Sequence, residues 1–366
     1  MKNTGCIMMC GIRQIARLLL LVACVGCFSS CKHEVDLYAD YKQVPIIYGI
    51  LDAQADTNFI KITRAFYASG DATQVAMNPD SSEFPGRLNA RLTEYLNGEP
   101  TREIVLDTIT IHNKQEGVFY APKQKLYYTA EPLCQNASNK RYSYRLTVAF
   151  PNKDTISTQC DMVGNTGFKV QSLAFNFSKE YFGRKREFRF KPAVNGARYE
   201  FRLGFTFLEQ RTPDSDSVPR TMYWNIGAYD DRWLSTHMVE NCYVFNYYPE
   251  AFYKELKEFI GGDTAVVGLK RYITDYPIEL TMKACGSKLQ QYIHYNDPSH
   301  LVTPGDLEFS LIEGGYGVFS SRMTRKTKLR LGGTTVPDLV AMTNWGFVFI
   351  GGGYPDEDKT LEEFIQ

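Results

Sequence analysis

The run Glu187-Phe188-Arg189-Phe190-Lys191 alternates ring and charge at every step. Only an extended strand puts every second side chain on one side, so this period of two demands a sheet with one buried face. The pattern recurs. Ile60, Ile62 and Arg64 share one face opposite Lys61, Thr63 and Ala65. Ile278, Leu280, Met282 and Ala284 alternate with polar residues, and Thr327, Leu329 and Leu331 alternate with Lys326, Lys328 and Arg330. The segment ARYEFRLGFTFLEQ repeats the theme. Aromatic residues make up 14% of the chain, with 24 Tyr and 23 Phe, a usage that suits strands more than helices. A mainly β protein is expected.

From Val44 to about Val163, strand follows strand: VPIIYGILD, FIKITRAFYA, RLNARLTEYL, REIVLDTITI, FYAPKQKLYYTA, RYSYRLTVAF and DTISTQCDMV. The last two are joined through Pro151-Asn152-Lys153, a tight turn by its chemistry. Such closely spaced short strands predict an immunoglobulin-like or fibronectin-like β-sandwich over 43–164. Val163-Gly164-Asn165-Thr166-Gly167 is a polar, glycine-bearing break and marks the expected boundary. A second β-rich domain with a few short helices is expected over 168–354, followed by an acidic tail over 355–366. Pro249 opens one helix, whose Phe252, Leu256, Phe259 and Ile260 form an apolar stripe that Gly261-Gly262 ends. Ser287 is expected to cap another, with Leu289, Tyr292 and Ile293 turned inward. The segment WGFVFIGGG from Trp345 reads as a late strand.

The N-terminal residues read as an export signal. Lys2, Arg13 and Arg17 precede the apolar run LLLLVACVGCF from Leu18 to Phe28, which is too short to span a bilayer. Cys24, Cys27 and Cys31 crowd its end, resembling a lipoprotein signal in which a thiol is acylated before cleavage. Phe28-Ser29-Ser30-Cys31 leaves an adequate apolar core, so Cys31 is the expected lipidation site; Leu21-Val22-Ala23-Cys24 makes Cys24 the alternative. Residues 1–30 are then the signal and 31–42 a linker. Lys32-His33-Glu34-Val35-Asp36 looks like the short charged signals of surface-displayed Bacteroidetes lipoproteins.

Lys and Arg together number 41, as do Asp and Glu, so no global field favours nucleic acid. Cys134, Cys160, Cys242 and Cys285 are even in number in an exported chain, which permits two disulfides. Sequence neighbourhood favours Cys134–Cys160 and Cys242–Cys285, with four free buried thiols as the alternative. No GxSxG or HExxH motif occurs. His294, Asp297 and His300 lack close metal-ligand spacing, and Asp230-Asp231 and Asp214-Asp216 lack the ligand series of a calcium loop. No metal, cofactor or enzymatic activity is expected. Between Tyr223 and Tyr253, aromatic residues gather densely, and Trp224, Trp233, Tyr247 and Tyr248 are the candidate contacts for a ligand or partner.

Tyr276, Tyr292, Asp297-Pro298 and then Ile312-Glu313-Gly314-Gly315-Tyr316-Gly317-Val318-Phe319 follow one another in order. This series resembles the C-terminal signature of a large Bacteroidetes family of uncharacterised lipoproteins, often encoded beside TonB-dependent outer-membrane receptors. PIIYGILD and NFIKITRAF are similar to the strand pair opening that family, although Leu311 stands where the family usually has asparagine. The resemblance implies a lipid-anchored outer-membrane protein, with a TonB-dependent barrel as partner. A non-enzymatic binding or accessory subunit is the expected function; an adhesive envelope component or a surface hydrolase are the alternatives. Gly314, Gly315 and Gly317 are read physically as a bend or bulge at a strand end, since no helix follows to cradle a phosphate.

Overall fold

A computed structural model describes residues 44–65, 71–135, 141–151, 154–164, 169–261, 268–297, 310–343 and 346–350. The architecture is mainly β, as the alternation requires. Eight strands make the first half. β1 (Pro45–Asp52), β2 (Asn58–Arg64), β5 (Asp107–Ile111) and β6 (Gln124–Thr129) run in the order β1-β2-β6-β5. β3 (Asn89–Leu96), β4 (Glu99–Val105), β7 (Tyr142–Ala149) and β8 (Thr155–Asp161) form a second sheet ordered β4-β3-β7-β8. That is the strand order of an immunoglobulin sandwich, with one added edge strand. Ile47, Ile60, Ile62 and Tyr127 from one sheet pack with Leu92, Ile104, Leu146 and Val148 from the other.

The stretch REIVLDTITI does not form one strand. It breaks at Leu106, which is fully buried and whose N–H donates to Ala90 O at 3.0 Å, so β4 and β5 fall in different sheets. A corner that turns between sheets cannot be seen in an alternation that continues through it. At the next corner the Tyr144 hydroxyl accepts the Cys134 N–H at 3.0 Å, ten residues back along the chain. This is the tyrosine-corner arrangement of sandwich folds.

The second half is built on longer strands. β12 (Arg198–Gln210), β13 (Val218–Asp230), β16 (Lys270–Cys285) and β17 (Tyr316–Leu331) lie in the order β13-β12-β16-β17. Three short strands, β9 (Lys169–Val170), β14 (Met238–Val239) and β15 (Cys242–Tyr247), join β11 (Arg186–Lys191) in a separate sheet. β10 (Ala174–Phe175) and β18 (Phe349–Ile350) add to the flanks of β17 and β16. Phe188 and Phe190 of β11 turn inward, as their alternation predicts, and meet Phe201 and Phe245.

Six α-helices are described, besides one 3-10 turn at Lys179–Tyr181. α1 (Ala72–Ala76) and α2 (Pro79–Ser82) cross the first half; α3 (Asp231–Ser235), α4 (Pro249–Ile260), α5 (Ser287–Tyr295) and α6 (Thr335–Ala341) belong to the second. α4 matches its sequence signals at both ends, and Phe252, Tyr253, Leu256 and Ile260 are buried. α5 departs from expectation. Its N-cap is Gly286, not Ser287, and the Leu289 N–H donates instead to Ser320 Oγ of β17 at 3.1 Å. Leu289, Tyr292 and Ile293 are only half-buried because α5 lies on the sheet surface against β17.

The buried apolar residues fall into two clusters, with Met162 in the first and Val163 in the second. The backbone does not divide there. β17 pairs in parallel with β1 over Tyr316–Arg322 and antiparallel with β16 over Arg322–Leu329, so one ten-stranded sheet runs through both halves. All described residues belong to one compact unit beginning at Gln43. Gly317 makes the seam possible. Its φ is +109°, and a Cβ there would fall 2.1 Å from Ile47 O.

Candidate functional site

The expected aromatic surface splits into two populations. Trp224 is 9% exposed and Tyr247 5%; both lie in the second core, where each faces Phe177. The Tyr247 hydroxyl accepts from Asn176 N at 3.1 Å and lies 3.3 Å from Asn176 O. These two residues hold the fold together and cannot anchor a partner. Trp233 and Tyr248 are 37% and 42% exposed. Trp233 sits on α3 between Tyr229 and His237, with ring centroids at 4.7 and 4.0 Å. Asp230 caps that helix by accepting the Trp233 N–H at 2.8 Å, which gives this aspartate a structural role. Tyr248 is the N-cap of α4.

Cys134, Cys160, Cys242 and Cys285 are all buried and free, so neither expected disulfide is formed. Cys242 opens β15 in the small sheet, whereas Cys285 closes β16 in the large one. Cys134 occupies a turn at φ +55°, with its N–H committed to Tyr144, while Cys160 lies along β8. Proximity in sequence is not juxtaposition of Cβ atoms, which a disulfide requires. Burial pushes the Cys134 and Cys285 thiols up to about 12 and raises Cys160 as well, so these groups remain protonated and unreactive. Cys24, Cys31 and His300 lie outside the described residues. Among the described residues, no group of three or more His, Cys, Asp or Glu side chains gathers as a metal site would need.

One cavity lies on the first half, at residues whose alternation reads simply as a wet strand face. Ile46 and Tyr48 of β1, Lys61 and Thr63 of β2 and Gln124 of β6 line it. α2 and the loop ending at Lys123 close over them, leaving a space of about 500 Å³. Local hydrogen bonds shape the cover. Asn78 caps α2 by accepting Asp80 N–H at 3.0 Å, and the Arg64 guanidinium donates to Asp80 O at 2.6 Å. Tyr120 N–H donates to Ala76 O at 3.0 Å, and Lys114 Nζ donates to Tyr120 O at 2.6 Å.

The lining is both basic and aromatic. Lys61, Arg64, Lys114 and Lys123 face it with Glu83 as the acidic counterpart, and Tyr48, Phe119 and Tyr120 supply rings. Burial, then the neighbouring Lys114 charge, depress the Lys61 pKa below the usual lysine value, against the opposing pull of Glu83. The site draws on four separate stretches of chain, so no linear motif announces it. A second cavity, of about 440 Å³, lies where β8, α5 and the turn before β12 meet. Its Lys288 already donates to Gln159 O at 2.7 Å.

No protein-family model matches the chain, and no curated protein matches it either.

Proposed function

We propose that this chain is a non-enzymatic binding protein, lipid-anchored to the bacterial outer membrane and displayed at the cell surface. It acts as an accessory subunit beside a TonB-dependent barrel. The observation that carries the binding role is the cation-and-ring-lined cavity of the first sandwich: concave, about 500 Å³, and furnished with a few convergent polar groups. The apolar run Leu18–Phe28, with Cys31 shortly after it, supports the anchor, and the resemblance of residues 276–319 supports the barrel as partner. Each buried methylene adds about 0.8 kcal/mol, so two or more acyl chains on one cysteine hold a chain stably on its membrane. Trp233 and Tyr248 are the exposed rings left to meet a protein partner.

Radiolabelled palmitate should enter the wild-type protein and should not enter Cys31→Ser. Label lost from Cys24→Ser instead would move the anchor, and an unlabelled wild type would overturn it. Gentle solubilisation of tagged protein should recover a TonB-dependent barrel; a clean monomer would count against the partnership.

A further inference from the structure

The cavity between β1, β2 and α2 holds an electrostatic arrangement that its own residues do not balance. Lys61 and Lys114 are half-buried and close enough for the Lys114 charge to oppose protonation of Lys61. Each ammonium carries three N–H groups. One from Lys61 goes to Gln124 Oε1 at 3.1 Å, and one from Lys114 goes to Tyr120 O at 2.6 Å. The buried Nε of Arg64 has no hydrogen-bond partner among the described residues. A fourth cation, Lys123, stands at the rim. Glu83 is the acidic side chain in the lining, and its Oε1 accepts the Lys125 N–H at 3.1 Å.

Cations so placed repel one another, and an anion bound among them would convert that cost into attraction. The remainder of the wall fixes the class of anion. Ile46, Tyr48, Phe119 and Tyr120 present apolar and ring surface. A bare phosphate or sulfate would leave that surface wet, and a neutral sugar would leave the ammonium groups unanswered. A compact carboxylate carrying a ring or branched apolar body satisfies both parts.

Building on the binding role proposed above, we infer that this cavity is the site for an organic carboxylate with an apolar body. The carboxylate sits between Lys61 and Lys114, and the body lies against Tyr48, Phe119 and Tyr120. Recognition of charge comes from the two lysines and recognition of bulk from the rings.

Titration calorimetry of the full chain in detergent, with 4-phenylbutyrate and its uncharged amide as probes, separates the two contributions. The carboxylate should bind at least about tenfold more tightly than the amide, because charge-assisted hydrogen bonds discriminate at that level or above. Its affinity should fall as NaCl is raised. Lys61→Met with Lys114→Met should cost the carboxylate tenfold or more and leave amide binding unchanged, while Tyr48→Ala should weaken both probes. A thermal melt within a few degrees of wild type establishes that each variant is folded. Equal binding of carboxylate and amide, both lost in Tyr48→Ala, would overturn the anionic class while leaving the cavity as a binding site. Carboxylate binding indifferent to the double lysine change, or no binding by either probe, would overturn the inference. The barrel-recovery experiment judges the partnership separately.

Discussion

In the first half of the molecule Glu94 is buried on β3, and in the second Glu209 is buried on β12. Glu94 is met mostly by neutral donors. The Tyr144 hydroxyl donates to Oε2 and Thr101 Oγ1 to Oε1 at 2.9 Å, with Arg102 as the charged partner at 3.2 Å. Glu209 is met by arginines alone: Arg271 at 2.9 Å, Arg220 at 2.7 Å and Arg211 at 3.2 Å. Arg271 is itself fully buried and donates onward to Gly346 O and Phe347 O at 3.1 and 2.8 Å. The first arrangement fastens a corner of a small sandwich. The second staples the C-terminal segment to the long hairpin, and it places one charge in the core that has meaning only if the other is there. Their surroundings differ in kind too. Ile, Leu and Val fill the first core, whereas stacked and edge-on Phe rings dominate the second.

The contrast is open to attack first at the ionic staple. Glu209→Gln should destabilise the chain by about 3–5 kcal/mol in urea unfolding, since it strands the buried Arg271. Glu209→Gln combined with Arg271→Met should recover part of that loss; a single variant costing under about 1 kcal/mol would show the staple to be unimportant. The aromatic core comes next. Phe252 is fully buried and stacks on Phe177 at 4.1 Å, so Phe252→Ala should cost about 3–5 kcal/mol. Because β17 pairs with both β1 and β16, unfolding should remain one transition followed equally by probes in either half. Two resolved transitions would mean that the shared sheet does not couple the cores.

A smaller loss, about 1–3 kcal/mol, is expected for Tyr144→Phe, which removes the hydroxyl from Glu94 and from the Cys134 N–H. This loss should depend on pH. Desolvation pushes the Glu94 pKa up, but hydrogen bonds from Tyr144, Thr101 and Arg102 outweigh it, leaving the folded value below that of the unfolded chain. As the medium is acidified the unfolded chain therefore takes up its proton first. The stabilisation is complete above the ordinary glutamate range near 4.3 and is lost as pH falls toward the depressed folded value. The gap between wild type and Tyr144→Phe should narrow over that window; a gap constant with pH would remove the carboxylate from the explanation. The smallest effect belongs to Trp233→Ala, expected within about 0.5 kcal/mol of wild type because the ring lies at the surface. A larger cost would make its stack with Tyr229 and His237 part of the fold.

Period-two alternation made the strands legible because burial of one face is what selects it. Phe188, Phe190, Ile60 and Ile62 all point where the pattern sends them. The same rule separates Trp224 from Tyr223 on β13, since adjacent residues on a strand face opposite ways, while Tyr248 follows the last residue of β15 as the N-cap of α4. Tyr247 joins Phe245 inside, and Tyr223 turns out to stack on the Arg202 guanidinium at 4.4 Å. Treating the aromatic cluster as one surface overlooked that parity. The break at Leu106, the union of β1 with β17 and the cavity were not legible, because each depends on segments brought together only by folding. The local trace of the union was the glycine run: Gly314 and Gly317 have φ of +76° and +109°, and a Cβ on Gly315 would come within 2.8 Å of Pro45 O.

The place of β1 has a mechanical consequence. It is the first described strand, yet it lies inside the large sheet, paired over seven residues with β17 and over five with β2. A pull applied to the N-terminal end along the strand axis must slide β1 past both neighbours, loading those backbone bonds in shear together rather than peeling them one by one. A chain tethered by its leading end would then carry drag from flow or a moving partner on its strongest direction.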